Sequence, residues 1–520
     1  MVSSEMAVPP STIPKIVPVI EINQQNINRI WPYLMIAIRK AQLIAIDLEL
    51  SGLGNHPCSS KSCFSDRYTN VMNAAETRTI FSLGIATFEL RRVSKNNKKL
   101  RYKCQVFNIL TLEEAPFVME PDSLCFLAAH GFDFNHLLSH AIRYTRKKPG
   151  PLHSLWEEIL ASGVSISMHN GLVDLAFIHN HFYMPLPQSE EVFLANVSDW
   201  FSPFAAAQLW DSKYLAEYKA RFPASFLEYV FRKCQRINYQ GSCEQKTHLV
   251  IKFSRLEKYF EDGKDDTLVV EDVNCEIKTD LKTSKEVCKN YQNFGYCKKR
   301  HVANGCTLSH DVDLVLDLEE IKSMKQKLSR QRRQRKRHFD DHQEELNAKK
   351  LLADSPEIAT LRAENGHSTE SESKTQEFSI KGHLDKFKKW VEFTFFSSKK
   401  VRQVNYLMLI PQDTKTHEKL DGTGSHRSGM DAFMTGFSVL FMQCEHLFNC
   451  GKLEISLANK LSLPGKDFPL VLKKSAFAPA QSERHLQNWA RISSRRPILD
   501  NYKKVNVQIL VVFNILLVFV

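Results

Sequence analysis

Residues 1–20 show no basic start followed by an apolar run, so no secretory leader is expected. That absence favours a reducing compartment, so the 12 cysteines are read as free thiols or metal ligands and not as a disulfide framework. Three of them cluster with a histidine; the others, such as Cys104, Cys125 and Cys234, are scattered. There is no internal repeat, which removes repeat architectures. There is also no apolar run of the roughly 20 residues that a membrane span needs. The nearest is Val505 to Val520, interrupted by Asn506, Gln508 and Asn514; it is read as a buried strand or a terminal tail in preference to a membrane tail anchor, so a membrane partner is not expected. Acidic charge is in deficit: 70 Lys and Arg face 58 Asp and Glu, for a net +12. A basic balance suits a polyanionic partner, because neutralising phosphates releases counterions. What remains is ordinary globular composition, with 520 residues, 43% hydrophobic and 25% charged. That is enough for two or three domains and at least one sizeable core.

After an N-terminal tail (1–21), residues 22–240 read as a compact α/β unit. Ile27 to Ala41 has helical amphipathicity, and Leu43 to Leu50 reads as a strand. Ile80 to Leu90 and Tyr102 to Ile109 are further strands, joined through the basic turn Arg91 to Arg101. Pro121-Asp122 opens a helix with Asp122 as N-cap. Leu152 to Ala161 is a helix ended by Gly163, and Val164 to Met168 is a strand running into His169-Asn170-Gly171 and a new helix. Lys213 to Cys234 reads as one long amphipathic helix starting near Asp211 or Ser212. Composition then changes. Residues 241–285 form a polar linker, 286–312 hold the Cys/His cluster, and 313–404 are basic, then rich in Ser, Thr and Glu, and expected to be disordered. Order is expected again over 405–480, with a strand at Val404 to Ile410, a buried helix at Gly429 to Phe448 and strand-like alternation from Leu453 to Leu472. Residues 481–520 are a tail.

The strongest chemical signal is Ile44-Ala45-Ile46-Asp47-Leu48-Glu49-Leu50-Ser51-Gly52. Alternate residues of a strand share a face, so Asp47 and Glu49 project together while Ile44, Ile46, Leu48 and Leu50 pack on the other side. Two adjacent carboxylates repel one another and call for a hard cation with oxygen ligands, such as magnesium. A pair of such ions activates water and stabilises the leaving oxygen of a phosphodiester. An isolated Asp-x-Glu is more often a solvated strand edge. Two distant segments change that balance: His169-Asn170-Gly171-Leu172-Val173-Asp174-Leu175, and His426-Arg427-Ser428-Gly429-Met430-Asp431, each placing an Asp at the mouth of a helix. Either Asp alone could be a cap.

Asp-x-Glu, then Asp, then His-x4-Asp, in that order, resembles the DEDDh exonucleases of ribonuclease H-like fold. Asp47-x-Glu49-Leu50-Ser51-Gly52-Leu53 is more similar to their deadenylase branch, the Caf and poly(A)-specific ribonuclease family, than to proofreading DNA exonucleases. Thr77 to Gly84, His130 to Asn135, His169 to Leu175 and Phe226 to Cys234 resemble a nuclear, Cajal-body branch of that family. In that branch an inserted CCCH finger and a basic run split the nuclease domain. The resemblance covers residues 20–240, 285–340 and 420–475. It implies a split α/β ribonuclease H-like domain acting as a 3′-to-5′ exoribonuclease that trims adenosine tails and releases 5′-AMP. It implies that Asp47, Glu49, Asp174 and Asp431 hold two magnesium ions. His426 would be the general base, its pKa near 6.5 suiting neutral pH. RNA with a 3′ adenosine tail is the expected partner, with small nuclear RNAs and nuclear-body proteins by resemblance, and no small-molecule cofactor is expected. Location in the nucleus, in Cajal bodies, nucleolus or speckles, follows from the same resemblance. Phe81, Phe88, Phe132, Phe134 and Tyr68 are candidates for stacking on adenine, with core packing as the commoner role of such residues; Arg67 and Arg78 are candidates for phosphate contact.

Cys288, Cys297, Cys306 and His310 form C-x8-C-x8-C-x3-H, three thiolates and an imidazole suited to one tetrahedral zinc. The middle gap is three residues longer than the usual C-x8-C-x5-C-x3-H, and His301 within it is a competing ligand. Tyr291, Phe294 and Tyr296 lie beside Lys298, Lys299 and Arg300, a mixture that single-stranded RNA binding uses. The run Arg330, Arg332, Arg333, Arg335, Lys336 and Arg337 reads as a nuclear-localisation signal or an RNA-contacting arm, against a solvated charged helix. The competing functions are a catalytically silent RNA-binding adaptor using finger and arm, and a DNA exonuclease.

Overall fold

A computed structural model describes residues 12–54, 63–201, 207–256, 268–277, 286–297, 305–353, 427–475 and 482–496, with no account of side chains from 336 to 353. A nine-stranded mixed sheet lies at its centre: β1 (Ile16–Ile22), β2 (Leu43–Leu50), β3 (Ile80–Ser94), β4 (Lys99–Glu113), β5 (Ile142–Tyr144), β6 (Ser165–Met168), β7 (Leu209–Asp211), β8 (His248–Phe253) and β9 (Val270–Asn274). The strand order is β7-β6-β2-β3-β4-β1-β9, with β5 and β8 also paired to β4. This is a mixed α/β fold. The period-2 alternation of β2 divides the core. Ile44, Ile46 and Leu48 meet Ile30, Leu34 and Ile38 of α1 (Ile27–Lys40) on one face. Leu43 and Ala45 meet Phe433 and Phe437 of a distant helix, Ser428–Met442, on the other. That helix is mostly apolar, with Asp431 its one charged residue, and is buried from Ser428 to Leu440, as a helix enclosed by a core must be.

Several elements depart from the pattern expected of the sequence. The strands β3 and β4 run on past Leu90, pairing Arg92 with Arg101 and Ser94 with Lys99, so the turn shrinks to residues 95–98 with Lys98 at φ 44°. Ladder hydrogen bonds carry the hairpin through its charged stretch. In α3 (Pro121–Ala129), Glu120 and not Asp122 is the N-cap. α2 (Phe64–Thr77), α4 (Phe134–His140), α5 (Pro151–Ala161), α6 (Leu172–Phe182) and α7 (Glu190–Trp200) flank the sheet. The single helix expected from Lys213 to Cys234 is broken. A short turn, α8 (Ser212–Tyr214), capped by the Asp211 carboxylate, gives way to a π-turn at Leu215–Lys219; α9 (Leu227–Cys243) then starts afresh. Pro223, which has no N–H to donate, and Arg221 at φ 51° account for the break.

The boundary expected at residue 240 falls short, because β8 and β9 belong to the same sheet. β8 runs parallel to β4 from Lys99↔His248 to Cys104↔Phe253, and β9 antiparallel to β1. Their inward residues Leu249, Ile251 and Val273 join the core. α10 (Lys289–Phe294) lies between the first two cysteines of the cluster. The segment after it is not disordered at its start: α11 runs from Val312 to Ala353. The buried helix expected at Gly429 to Phe448 is two, α12 (Ser428–Met442) and α13 (Cys444–Cys450), divided at Gln443. The alternation after Leu453 yields only a two-residue pairing, β10 (Lys460–Leu461) with β11 (Leu470–Val471). α14 (Glu483–Ser494) follows within the expected tail, its Trp489 and Ile492 on the core. Contacts divide the chain into two units, Met1–Glu320 with Leu420–Val520, and Ile321–Lys419. No helix among the described residues is long and apolar enough to cross a membrane. The expected strand at Val404 to Ile410 and the apolar run Val505 to Val520 lie outside the described residues.

Candidate active site

Asp47 and Glu49 leave β2 on the face covered by α12, where Asp431 stands in the first turn. One carboxylate oxygen from each of Asp47, Glu49 and Asp431 lies within 4.8 Å of the others. Asp174 stands in the first turn of α6, and its charge also reaches Asp47. So carboxylates separated by hundreds of residues meet in one place. Burial first, then the charges of Asp431, Asp174 and Glu49, push the Asp47 carboxyl well above its ordinary range. Burial likewise lifts Asp174 to about 7, against backbone hydrogen bonds that lower it, with Asp211 adding to the rise. A site that raises its own acids in this way favours either protons or a cation. An all-oxygen donor set of carboxylates fits a hard divalent cation. His426 lies outside the described residues.

Close backbone approach seats α12. A Cβ on Gly84, which pairs with Asp47 across β2 and β3, would stand 1.9 Å from the Ser428 carbonyl group. Asn108 Oδ1 then accepts hydrogen bonds from Ser82 Oγ (2.8 Å), Ser428 Oγ (2.7 Å) and the Gly429 N–H (3.4 Å). Asp211, fully buried, positions the other wall: its Oδ1 accepts from the N–H groups of Asn170 (3.1 Å), Lys213 (2.8 Å) and Tyr214 (3.2 Å), and its Oδ2 from Ser462 (3.3 Å). Asn170, at φ 58°, is the sharp turn that delivers Asp174. On the rim, Glu120 accepts from the N–H groups of Leu53 and Gly54 and pairs with Arg78, fixing the chain just beyond Glu49. None of Gly84, Asn108, Asp211 and Glu120 stands out in the sequence as functional. Their roles depend on backbone partners far along the chain, although the Ser82-Leu83-Gly84 segment was visible as part of a family-like motif.

The residues considered for RNA contact are mostly structural. Tyr68, Phe81 and Phe88 are core residues, each at most 1% exposed. Phe132 and Phe134 are half-buried and pack on Phe81 at 6.2 and 5.9 Å. Arg67 is buried and donates to the Pro464 carbonyl, and Arg78 is held by Glu120; neither is a free surface cation.

Cys288, Cys297, Cys306 and His310 come together, one ligand atom from each lying within 4.8 Å of the others. Burial raises the Cys288 thiol, but the Tyr291 N–H and the thiols of Cys297 and Cys306 outweigh it and hold the group below its ordinary value. Three thiols and an imidazole fit zinc. The cluster is docked, not tethered. Cys288, Tyr291 and Cys297 share a small core with Tyr229 of α9 and Val312, Val315 and Leu316 of α11, with Phe226 packed against it. Gly295, at φ 76°, brings the knot so close that a Cβ there would lie 2.5 Å from the Phe226 ring. Arg236 ties α9 to Asp313 (3.0 Å) and Asp317 (2.6 Å), and Tyr229 donates to Glu319 (2.7 Å). Tyr291 is thus buried, while Phe294 and Tyr296 stand outside at 61% and 57% exposure. His301 and the cations Lys298 to Arg300 lie outside the described residues. Along α11, Arg330, Arg332, Arg333 and Arg335 are exposed; Lys336 and Arg337 continue the same helix.

Comparison with known proteins adds a family. The model of the CAF1 family ribonuclease matches residues 22–152 and 150–439. The poly(A)-specific ribonuclease PARN of Danio rerio is 27% identical over 139 residues, 25% of this chain, and that of Xenopus laevis 28% over 141 residues, again 25% of the chain. These alignments span about a fifth of the relatives' own length, 21% and 22%. Among solved structures, Pop2p of S. pombe in its Mg2+- and Mn2+-bound form has a TM-score of 0.33 at 16% identity, covering 42% of this chain and 82% of that one. The RNase domain of yeast Pop2 has a TM-score of 0.31 at 15% identity, covering 44% and 80%.

Proposed function

The chain belongs to the CAF1 family of ribonucleases, and on that premise we propose that it is a magnesium-dependent 3′-to-5′ exoribonuclease that removes adenosine tails from RNA. The observation that carries the proposal is the meeting of Asp47, Glu49 and Asp431, with Asp174 beside them, drawn from both ends of a matched segment more than 400 residues long. In this reading Asp47, Glu49, Asp174 and Asp431 hold two magnesium ions. Bound there, the ions would lower the pKa of a water and neutralise charge on the phosphodiester. The chain's own groups do the positioning. Gly84 and Asn108 fix the helix bearing Asp431, Asp211 fixes the turn before Asp174, and Glu120 fixes the strand end after Glu49. His426, five residues before Asp431, is assigned as the base that takes the water's proton. The names of the PARN relatives support adenosine as the tail.

Cys288, Cys297, Cys306 and His310 hold one zinc in this reading, and the exposed pair Phe294 and Tyr296 offers rings to RNA bases. The exposed arginines of α11 serve nuclear import. Small nuclear RNAs and nuclear bodies are the proposed substrate class and place. They rest on the joint presence of a finger and a basic helix within the nuclease sequence.

Incubation of the purified chain with magnesium and a 5′-labelled, oligo(A)-tailed RNA tests the activity. A ladder shortening from the 3′ end, absent with Asp47→Ala and with a deoxy substrate, is the expected result. RNA that is bound but uncut by the wild-type chain would instead identify an adaptor. Metal analysis should find one zinc per chain, lost in Cys306→Ser. A reporter fusion that stays cytoplasmic when the arginines from Arg330 to Arg335 become Gln would support the import role. Sequencing of RNA 3′ ends after loss of the protein identifies the substrate class.

A further inference from the structure

The outer half of the β3–β4 hairpin carries charge of one sign. From Arg91 to Lys103 there are seven cations and no acid in thirteen residues. Alternation sorts them. Leu100, Tyr102 and Cys104 enter the core, so Arg101 and Lys103 point to the opposite face of the sheet. There β8 sets Lys252 directly beside Lys103, and β3 sets Arg92 beside Arg101. Like charges placed opposite one another destabilise a sheet. Lys40, at the end of α1, and Arg91 come to the same place. Burial lowers the Lys103 ammonium, Glu89 draws it back up, and Lys40 and Arg91 push it down again. Glu89 also accepts from Arg91 (2.7 Å). Arg91, Arg101 and Lys252 are exposed, and Lys40 and Lys103 half-exposed. Cations from α1, β3, β4 and β8 therefore converge on a sheet face at a cost in stability that a bound polyanion would relieve.

We propose that this face binds the phosphate backbone of the RNA upstream of the tail, as a second RNA site separate from the carboxylate cluster. The inference deepens the exoribonuclease reading and rests on it for the identity of the polyanion. Glu49 pairs with Ser82, and Arg92 lies ten residues further along β3, so the two sites are roughly 30 Å apart at a strand's ~3.3 Å per residue. They also occupy opposite faces of the sheet. A short oligo(A) reaches only the carboxylates, whereas an RNA with a body reaches both.

The test uses the full chain with Arg91→Gln, Arg101→Gln and Lys252→Gln combined, and a charge-keeping control with Arg91→Lys and Arg101→Lys. Hydrolysis of a short oligo(A) should be the same in all three proteins. Affinity for a stem-loop RNA with a 3′ adenosine tail, measured by anisotropy over a salt series without magnesium, should fall on the order of tenfold in the Gln variant, with the log–log salt slope smaller by about 2–3. The Lys control should behave as wild type. An unchanged slope and affinity in a folded Gln variant overturns the proposal, whether or not that variant has lost binding to an acidic protein or an anionic vesicle. Equal losses in the Gln and Lys variants also overturn it. If no protein cuts oligo(A) but the slopes still differ, the exoribonuclease reading fails and this surface stands.

Discussion

At the scale of single residues, Asp47 carries the clearest consequence. Its carboxyl is raised by burial and then by three neighbouring acids. An acid raised on folding costs nothing below its unfolded pKa of about 4, and costs more as pH rises through its folded value. The metal-free protein should therefore lose stability as pH rises from acid to neutral. Asp47→Asn removes one of the crowded charges. It should raise the melting temperature of the metal-free protein at pH 8, with the gain vanishing towards pH 4, while lowering ribonuclease activity by at least about 100-fold, since even outer-shell changes at metal sites cost 10–100-fold. Magnesium should stabilise the wild type more at pH 8 than at pH 6, because Asp174, raised to about 7, must lose its proton to ligate. Thermal melts with and without magnesium across pH check both statements. The pairing of Asp47 with Glu49 was legible because strand alternation is local. Asp211 and Asn108 were not legible, since what marks them is the set of backbone N–H groups and hydroxyls they hold, from residues up to 251 and 321 positions away.

At the scale of elements, the contact between β3 and α12 decides whether Asp431 reaches the site. Gly84→Ala would place a methyl on the Ser428 carbonyl. The helix must shift, and a loss of about 1–3 kcal/mol is expected from overpacking. Magnesium should then no longer raise the melting temperature, although all four carboxylates remain; denaturant melts and the magnesium-induced shift measure the two effects. The Cys3His knot makes a second such contact. It packs on Phe226 and Tyr229 of α9, while Phe231 of α9 packs on Phe433 and Phe437 of α12 at 5.8 and 5.6 Å. If the knot holds the proposed zinc, a chelator should thus lower the melting temperature of the nuclease unit itself, and hydrogen exchange should quicken first in the N-terminal half of α9. A finger on a flexible tether would leave both unchanged. The sequence made the buried helix visible, through its predominantly apolar character, and β2 through its period of two. It hid β8 and β9, which are six and five residues long, half polar, and defined by register with β4 and β1. Such pairing is non-local, and composition alone reads the segment as a linker. The outer half of the β3–β4 hairpin was hidden for the same reason: charge suggested a loop where hydrogen bonding continues a ladder.

At the scale of the whole molecule, one unit is built from two stretches of chain, Met1–Glu320 and Leu420–Val520, and Ile321–Lys419 forms a second unit. A protease site introduced between residues 354 and 419 should permit cleavage without separation. The two pieces should co-elute under native conditions and keep the uncut rate on oligo(A), because α12 is enclosed by β2, β3, β4 and α9. Dissociation into inactive pieces would show that the enclosure is too weak to hold the unit. The same arrangement bears on the timing of activity. Synthesis proceeds from the N-terminus at about 5–20 residues per second, and α12 begins only at Ser428. A growing polypeptide displays Asp47, Glu49 and Asp174 long before the ribosome has made Asp431. Between the synthesis of Asp174 and that of Asp431 the molecule thus holds an incomplete set of acids, and if it is the proposed exoribonuclease it gains the capacity to cut RNA only after Ser428–Met442 has been made and has docked on the sheet.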